Sequence, residues 1–350
     1  MNARAIALAA LAAALFGAAT PASKALLGEL SAFQLAGLLY LGAAIGVAPF
    51  ASRGGGLRLP GKGDRRNRIR LAGAIGAGGI AGPVLLLFGL RAADAASVSL
   101  WLNFELAATA LLGTLLFREH LGRLGWTGVA MALAGAALLS GVNGLSGAGA
   151  ALLVIGACAL WGLDNHLTAL IDGITPAQST FWKGLVAGST NLALGLFLEP
   201  FNAGVGTTSL ALTLGALAYG ASIVLYIMAA QSLGATRAQT VFASAPFFGV
   251  LLSVWVLGES LHALHGASAA LFIVAVVLLT MDRHSHRHSH EALDHVHEHR
   301  HEDGHHNHSH SPHAANHHSH RHHHEPMTHV HPHWPDLHHR HTHQGKDEDV

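Results

Sequence analysis

Apolar residues run without alternation for about 20 residues at a time, over and over, through the first 281 positions of the chain. A bilayer core needs about 20 residues of helix to cross it. Ten runs qualify, at about 5–22, 31–51, 69–90, 94–117, 122–140, 146–171, 175–198, 208–232, 235–257 and 262–281. Their continuity predicts helices, because barrel strands would alternate apolar and polar positions. The segment Arg4 to Thr20 has the basic start and apolar run of a signal peptide, but the similar runs that follow it favour an uncleaved first span. After residue 281 the pattern breaks into a polar tail.

The runs repeat. Leu115-Leu116-Phe117-Arg118-Glu119-His120-Leu121 aligns with Trp255-Val256-Leu257-Gly258-Glu259-Ser260-Leu261 at an offset of 140 residues without a gap, and Leu111-Leu112 pairs with Leu251-Leu252 at the same offset. Ala14-Leu15-Phe16-Gly17 aligns with Ala159-Leu160-Trp161-Gly162 at an offset of 145. The chain therefore divides into a first five-helix repeat at 1–140, a second at 141–281 and a tail at 282–350. Five is odd, so the second repeat must lie upside down relative to the first, as in many secondary transporters. Small residues four apart, at Gly42 with Gly46, Gly78 with Gly82 and Gly184 with Gly188, predict closely packed helices. The expected fold is all-α and polytopic: ten transmembrane helices as two inverted five-helix repeats, followed by a disordered histidine-rich C-terminal tail.

With these segments in view, the chain resembles the EamA-type, ten-helix branch of the drug/metabolite transporter superfamily. The resemblance lies in Leu15-Phe16-Gly17-Ala18-Ala19-Thr20-Pro21, in Ala159-Leu160-Trp161-Gly162-Leu163-Asp164-Asn165, and in the Glu119 and Glu259 segments that close the fourth and ninth helices. It covers roughly residues 5–281. It implies a multi-pass carrier with a central cavity between its halves, commonly an exporter of small metabolites, amino acids or drugs.

Charge sets the expected orientation. Only 11% of the residues are Asp, Glu, Lys or Arg, yet Arg53, Arg58, Lys62, Arg65, Arg66, Arg68 and Arg70 crowd one loop between the second and third spans. Basic loops stay cytoplasmic, which places the amino terminus inside and, after ten spans, the tail inside as well. Lys24 and Arg91 then fall in outer loops. The expected location is an inner membrane, with both termini cytoplasmic.

An ionised side chain at the centre of a span costs roughly 2.5–3.5 kcal/mol on insertion scales, so each one needs a partner, water or a task. Glu105 lies about 18 Å from the inner end of the fourth helix, and Asn103 is near it in sequence, though on another face. Asp164 and Lys183 lie about 10 and 12 Å deep on adjacent helices, where they can meet as an ion pair. Glu105, Asn103, Asp164, Asn165 and Lys183 form the candidate transport cavity. Two readings stand for the pair, a packing clamp or a transport role, while Glu105 is the better candidate for coupling to protons or binding a cationic substrate group. His166 is turned about 200° from Asp164 on a helix and reads as a packing residue. His262 and His265 share a face at the outer start of the tenth helix and read as a solvated helix start.

The tail carries 26 of the 30 histidines and holds 11 acidic against 6 basic residues. His284, His286, His288 and His290, then His295, His297, His299 and His301, offer imidazoles that bind nickel, cobalt, zinc or copper without demanding a fold. They double as a pH-responsive polycation: about 6 of the 26 carry charge at pH 7 and about 20 at pH 6. A tail without an essential role is a further reading. The single cysteine, Cys158, excludes an intramolecular disulfide and a multi-thiolate metal site. Few basic and aromatic residues in the tail speak against nucleic acid as a partner, and the membrane body offers no nucleophile-base pair or phosphate loop that would mark an enzyme.

The leading expectation is a secondary transporter exporting a small solute, with a metal-binding cytoplasmic tail; its partners are that solute and the lipid bilayer, and it requires no cofactor. One alternative is a dedicated nickel, cobalt or zinc efflux carrier. Another, from a different class, is a membrane-anchored metal store or sensor.

Overall fold

The computed structural model describes the chain apart from residues 1–2, 54–55, 62, 118–120, 141–143, 172, 234–240, 282–284, 291–292, 300–317, 325–326 and 333–350. The first repeat comprises α1 (Ala3–Gly17), α2 (Ala19–Leu26), α3 (Ala32–Ala51), α4 (Arg65–Ala74), a π-helical segment (Ile75–Ala81), α5 (Gly82–Ala92), α6 (Ala95–Trp101), α7 (Phe104–Phe117) and α8 (Arg123–Ser140). The second comprises α9 (Gly144–Ala169), α10 (Pro176–Leu198), α11 (Val205–Leu214), a second π-helical segment (Gly215–Ala221), α12 (Ser222–Leu233), α13 (Ala245–Leu257) and α14 (Ala263–Met281).

Each of the ten apolar runs contains helix among the described residues. Six stretches are long and apolar enough to cross a membrane, Ile6–Leu26, Ala32–Ala51, Arg65–Ala92, Ala95–Leu116, Gly147–Thr168 and Val205–Tyr226, and shorter apolar helices stand at Arg123–Leu139, Ala245–Leu257 and Ala263–Leu279. Large apolar side chains also cover the outside, with Phe197, Val205 and Trp255 each more than four-fifths exposed. Such a surface suits a lipid environment, where apolar exposure carries no penalty.

The duplication extends to atomic detail. Ser31 caps α3, its hydroxyl accepting from the Gln34 N–H at 3.2 Å while the Gln34 side-chain oxygen accepts from the Ser31 N–H at 3.1 Å. Thr175 and Gln178 repeat this reciprocal box at the start of α10, 144 residues later. Each glutamine then reaches the far end of the other helix or just past it: Gln34 Nε2 donates to the Gly195 and Glu199 carbonyls, and Gln178 Nε2 donates to the Gly56 carbonyl. Between those ends α3 and α10 lie against each other through glycine. A Cβ at Gly184 would come within 2.7 Å of the Tyr40 carbonyl, and one at Gly188 within 2.6 Å of the Leu41 nitrogen. Close packing through small residues, as expected from their spacing, is what the structure shows at these two positions.

The helices pair across the two repeats. The first helix of each repeat packs on the third of the other, α1 on α12 and α9 on α5, and the last helices α8 and α14 pack together. Ser268 on α14 donates to the Gly135 carbonyl on α8 at 2.7 Å. The two π-helical segments begin at equivalent positions, Ile75 and Gly215, 140 residues apart. Two helices are also interrupted at mid-length. Pro21 lacks the N–H that would bond the Gly17 carbonyl, at the junction of α1 and α2, and a turn at Leu102 and Asn103 separates α6 from α7.

Among the described residues of the tail, four segments are extended. Ser285–His290 (β1) pairs antiparallel with Met327–Pro332 (β4), and Leu293–His299 (β2) pairs with His318–His324 (β3). The register sets His286 opposite His331, His288 opposite His329, His295 opposite His322 and His297 opposite His320. A residue pattern that alternates histidine with another residue has the period of a strand, and that periodicity accounts for the extended, paired backbone. His284 and His301 lie outside the described residues.

Candidate transport site

The first π-helical segment, Ile75-Gly76-Ala77-Gly78-Gly79-Ile80-Ala81, is the frame of the polar centre. Lengthening the backbone hydrogen bonds from i→i+4 to i→i+5 leaves carbonyls without their usual partner. The Gly78 carbonyl is such a group: the Tyr40 hydroxyl from α3 donates to it at 2.6 Å and the Trp161 indole N–H from α9 at 3.0 Å. On α10, Asn191 Nδ2 donates to the Gly79 and Ile80 carbonyls at 3.2 and 3.3 Å.

Beside this segment Lys183 Nζ on α10 donates to both oxygens of Asp164 on α9, at 2.8 and 2.6 Å, and Thr168 Oγ1 donates to Asp164 Oδ1 at 2.9 Å. The side chains of the pair are only 14% and 10% exposed. A Cβ on Gly78 would run into the Asp164 carboxylate, and one on Gly79 would come within 3.1 Å of Lys183 Cγ. Glycine at both positions is what lets the pair lie against the backbone. The two charges expected to meet across the α9–α10 hairpin do so.

Glu105 stands in the first turn of α7, just past the α6–α7 break. It has the near neighbour that the sequence did not reveal: Asn165 Nδ2, one residue along from Asp164, donates to Glu105 Oε1 at 3.0 Å. Asn165 is exposed and Glu105 partly so, which leaves this side of the polar centre accessible. His166 places Nε2 2.9 Å from the Thr109 carbonyl, one turn beyond Glu105. Asn103 does not join the group. It is buried, and its Nδ2 donates to the Leu100 carbonyl at 3.1 Å, so it braces the helix break instead.

Aromatic residues given no site role in the sequence reading complete the centre. Tyr40 and Tyr219 rings stand 5.5 Å apart, Tyr219 and Phe16 5.9 Å, Phe16 and Phe242 5.5 Å, and Phe242 and Tyr226 5.0 Å. This file of rings links the first π-helical segment, through Tyr40, to the second, through Tyr219. The chain has three tyrosines in all, and all three lie in this file. Their scarcity within apolar runs was the available signal.

A second polar cluster corrects the reading of the tenth helix start. His265 is 3% exposed, with Nε2 3.1 Å from Ser97 Oγ and 3.4 Å from Asp94 Oδ1, and its Nδ1 accepts from the His262 N–H at 3.0 Å. It is a buried link between repeats, because α14 packs over the start of α6.

The EamA-like transporter family model matches residues 3–141 and again residues 148–281. The chain belongs to the EamA-like transporter family. The double match coincides with the two repeats. A chain of similar sequence is an uncharacterized transporter from Methanothermobacter thermautotrophicus, 27% identical over 215 residues, which are 56% of this chain and 60% of that relative. This chain thus spans about three-fifths of that relative's length. A protein crystal structure superposes with a TM-score of 0.58 over 80% of this chain and 99% of its own, at 20% identity, which shows a shared fold.

Proposed function

We propose that this EamA-like protein is a secondary carrier that crosses an inner membrane ten times and exports a small solute, with a cytoplasmic tail that binds divalent transition metal. One observation carries the transport reading: Glu105, partly buried and bonded to the exposed Asn165, stands at a helix break within an apolar bundle. Discontinuous helices near the midplane are where inverted-repeat carriers place substrate and coupling-ion sites, and an intramembrane carboxylate is by default a functional group.

The division of labour follows from the partners. Asp164 and Lys183 neutralise each other against the first π-helical segment and serve as the clamp of the site. Glu105 offers a carboxylate to a proton or to the cationic part of a solute. Asn165, which touches Glu105 and adjoins Asp164, couples the two.

Contacts at the two ends of the bundle support the proposed orientation. The basic loop lies with the α9–α10 turn: Gln178 donates to the Gly56 carbonyl, Trp182 to the Arg58 carbonyl and Arg70 to the Leu170 carbonyl. By the positive-inside rule that end is cytoplasmic. Lys24, Arg91, Asp94 and Glu259 gather elsewhere, at the junctions of α5 with α6 and α13 with α14, which the ten-span topology places outside. Comparing solutes released into the medium by cells carrying the full chain or Glu105→Gln, at equal membrane abundance, tests the reading. At least one solute should be released at a rate tenfold lower by Glu105→Gln; equal release of every solute would remove Glu105 from the mechanism.

A further inference from the structure

α6 and α13 come from opposite repeats and are joined at one end by a set of polar contacts. Gly258, with φ of +69°, ends α13 in the left-handed region and turns the chain toward α6. Glu259, the next residue, accepts two backbone hydrogen bonds there: Oε1 from the Ala95 N–H at 2.8 Å and Oε2 from the Ala96 N–H at 2.9 Å. Asp94 holds the same turn, accepting from the Ser97 N–H at 2.6 Å and from the Ser97 hydroxyl at 2.8 Å. His265 closes over it from α14, within reach of both Ser97 and Asp94. Lys24 on α2 donates to the Leu90 and Ala93 carbonyls that lead into this turn, at 2.6 and 2.8 Å.

Beneath these contacts α1, α6 and α13 touch through small residues. A Cβ on Gly249 would lie 2.5 Å from Ser99 Oγ and 3.0 Å from the Gly17 carbonyl oxygen, and a Cβ on Gly17 would lie 3.1 Å from the Gly249 nitrogen. Ser99 is 0% exposed, and among the described residues its hydroxyl has no hydrogen-bond partner. The Gly17 carbonyl is the one that Pro21 cannot bond. A buried hydroxyl without a partner is destabilising, and water would relieve it.

We propose that Glu259, with Asp94, Ser97 and His265, is the latch of a gate whose seam is Gly17, Ser99 and Gly249, and that the gate opens when α13 leaves the start of α6. The seam suits such a motion. At Gly17 and Gly249 backbone meets backbone, and the unpartnered Ser99 hydroxyl is hydrated on opening, which offsets part of the loss of the Glu259 bonds. The latch joins the two repeats, whose relative movement alternating access requires. The proposal rests on the transport reading but is tested without any solute.

In lipid nanodiscs, which leave both membrane faces open to reagent, Ser99→Cys and Asn165→Cys are each introduced with Cys158→Ala and labelled with a bulky, charged maleimide. Ser99→Cys reports the seam and Asn165→Cys the accessible side of the polar centre. Adding Glu259→Ala should raise the labelling rate at Ser99→Cys at least tenfold and lower it at Asn165→Cys. Glu259→Gln, which keeps one acceptor oxygen, should fall between. Ser97→Ala, which removes the hydroxyl's contacts with Asp94 and His265 but spares Glu259 and the Ser97 N–H bond to Asp94, should shift the two rates in the same opposed directions, by less. Faster labelling at both sites would show general loosening around a lost helix cap, and unchanged rates would show a static contact; either overturns the gate. Neither result touches the solute-release test of Glu105.

Discussion

Asp164 and Lys183 have most to lose from being separated. Their side chains are largely shielded and hydrogen-bonded to each other, and removing one partner of a buried pair costs about 3–5 kcal/mol, because the other charge is left uncompensated. Lys183→Met should therefore lower the thermal unfolding temperature of the purified protein well below that of the double variant Asp164→Asn, Lys183→Met. Equal losses would show that the charges are not coupled. Gly78→Ala should destabilise the protein by a similar route, driving a methyl group into the Asp164 carboxylate; a fluorescence-monitored melt checks this. Glu105, Asp164 and Lys183 were legible in the sequence because ionisable groups are rare in apolar runs. The Asn165–Glu105 bond and the burial of His265 were not, since each joins residues at least 60 positions apart and arises from packing between helices rather than from spacing along one.

Helices were readable where hydrophobic continuity alone decides them; their boundaries follow caps that continuity does not report, as Ser31 with Gln34 and Thr175 with Gln178 show. Their interruptions were not readable. A π-helical segment has no composition of its own beyond small residues, so Ile75–Ala81 and Gly215–Ala221 read as ordinary parts of two spans. The turn at Leu102 and Asn103 interrupts an apolar run without proline or glycine. Alternating histidines in the tail read as compositional bias, although their period of two is that of the ladders observed. Because each capping glutamine serves its own helix and its partner, Gln34→Ala and Gln178→Ala should each destabilise the protein by about 1–2 kcal/mol. Chemical denaturation of the two variants measures this, and a loss at only one site would break the equivalence of the two repeats.

For the molecule as a whole, the repeat was legible because short segments recur without gaps, at offsets of 140 and 145 residues, and the family match covers both halves. Solute and tail function were not, because neither follows from architecture. If the tail binds metal through neutral imidazoles, its affinity should fall sharply between pH 7 and pH 6, as the protonated fraction rises from about one quarter to about three quarters; equilibrium dialysis against nickel or zinc measures that fall. The decisive measurement compares cells expressing the full chain, the chain lacking residues 282–350, and Glu105→Gln, recording solute released to the medium and cellular nickel, cobalt, zinc and copper together. A solute-exporting carrier with a metal-binding tail predicts that release is lost with Glu105→Gln and kept without the tail, while metal content follows the tail alone. If Glu105→Gln instead abolishes a fall in one cellular metal and leaves all solute release unchanged, the protein is a metal exporter and the proposed cargo is wrong.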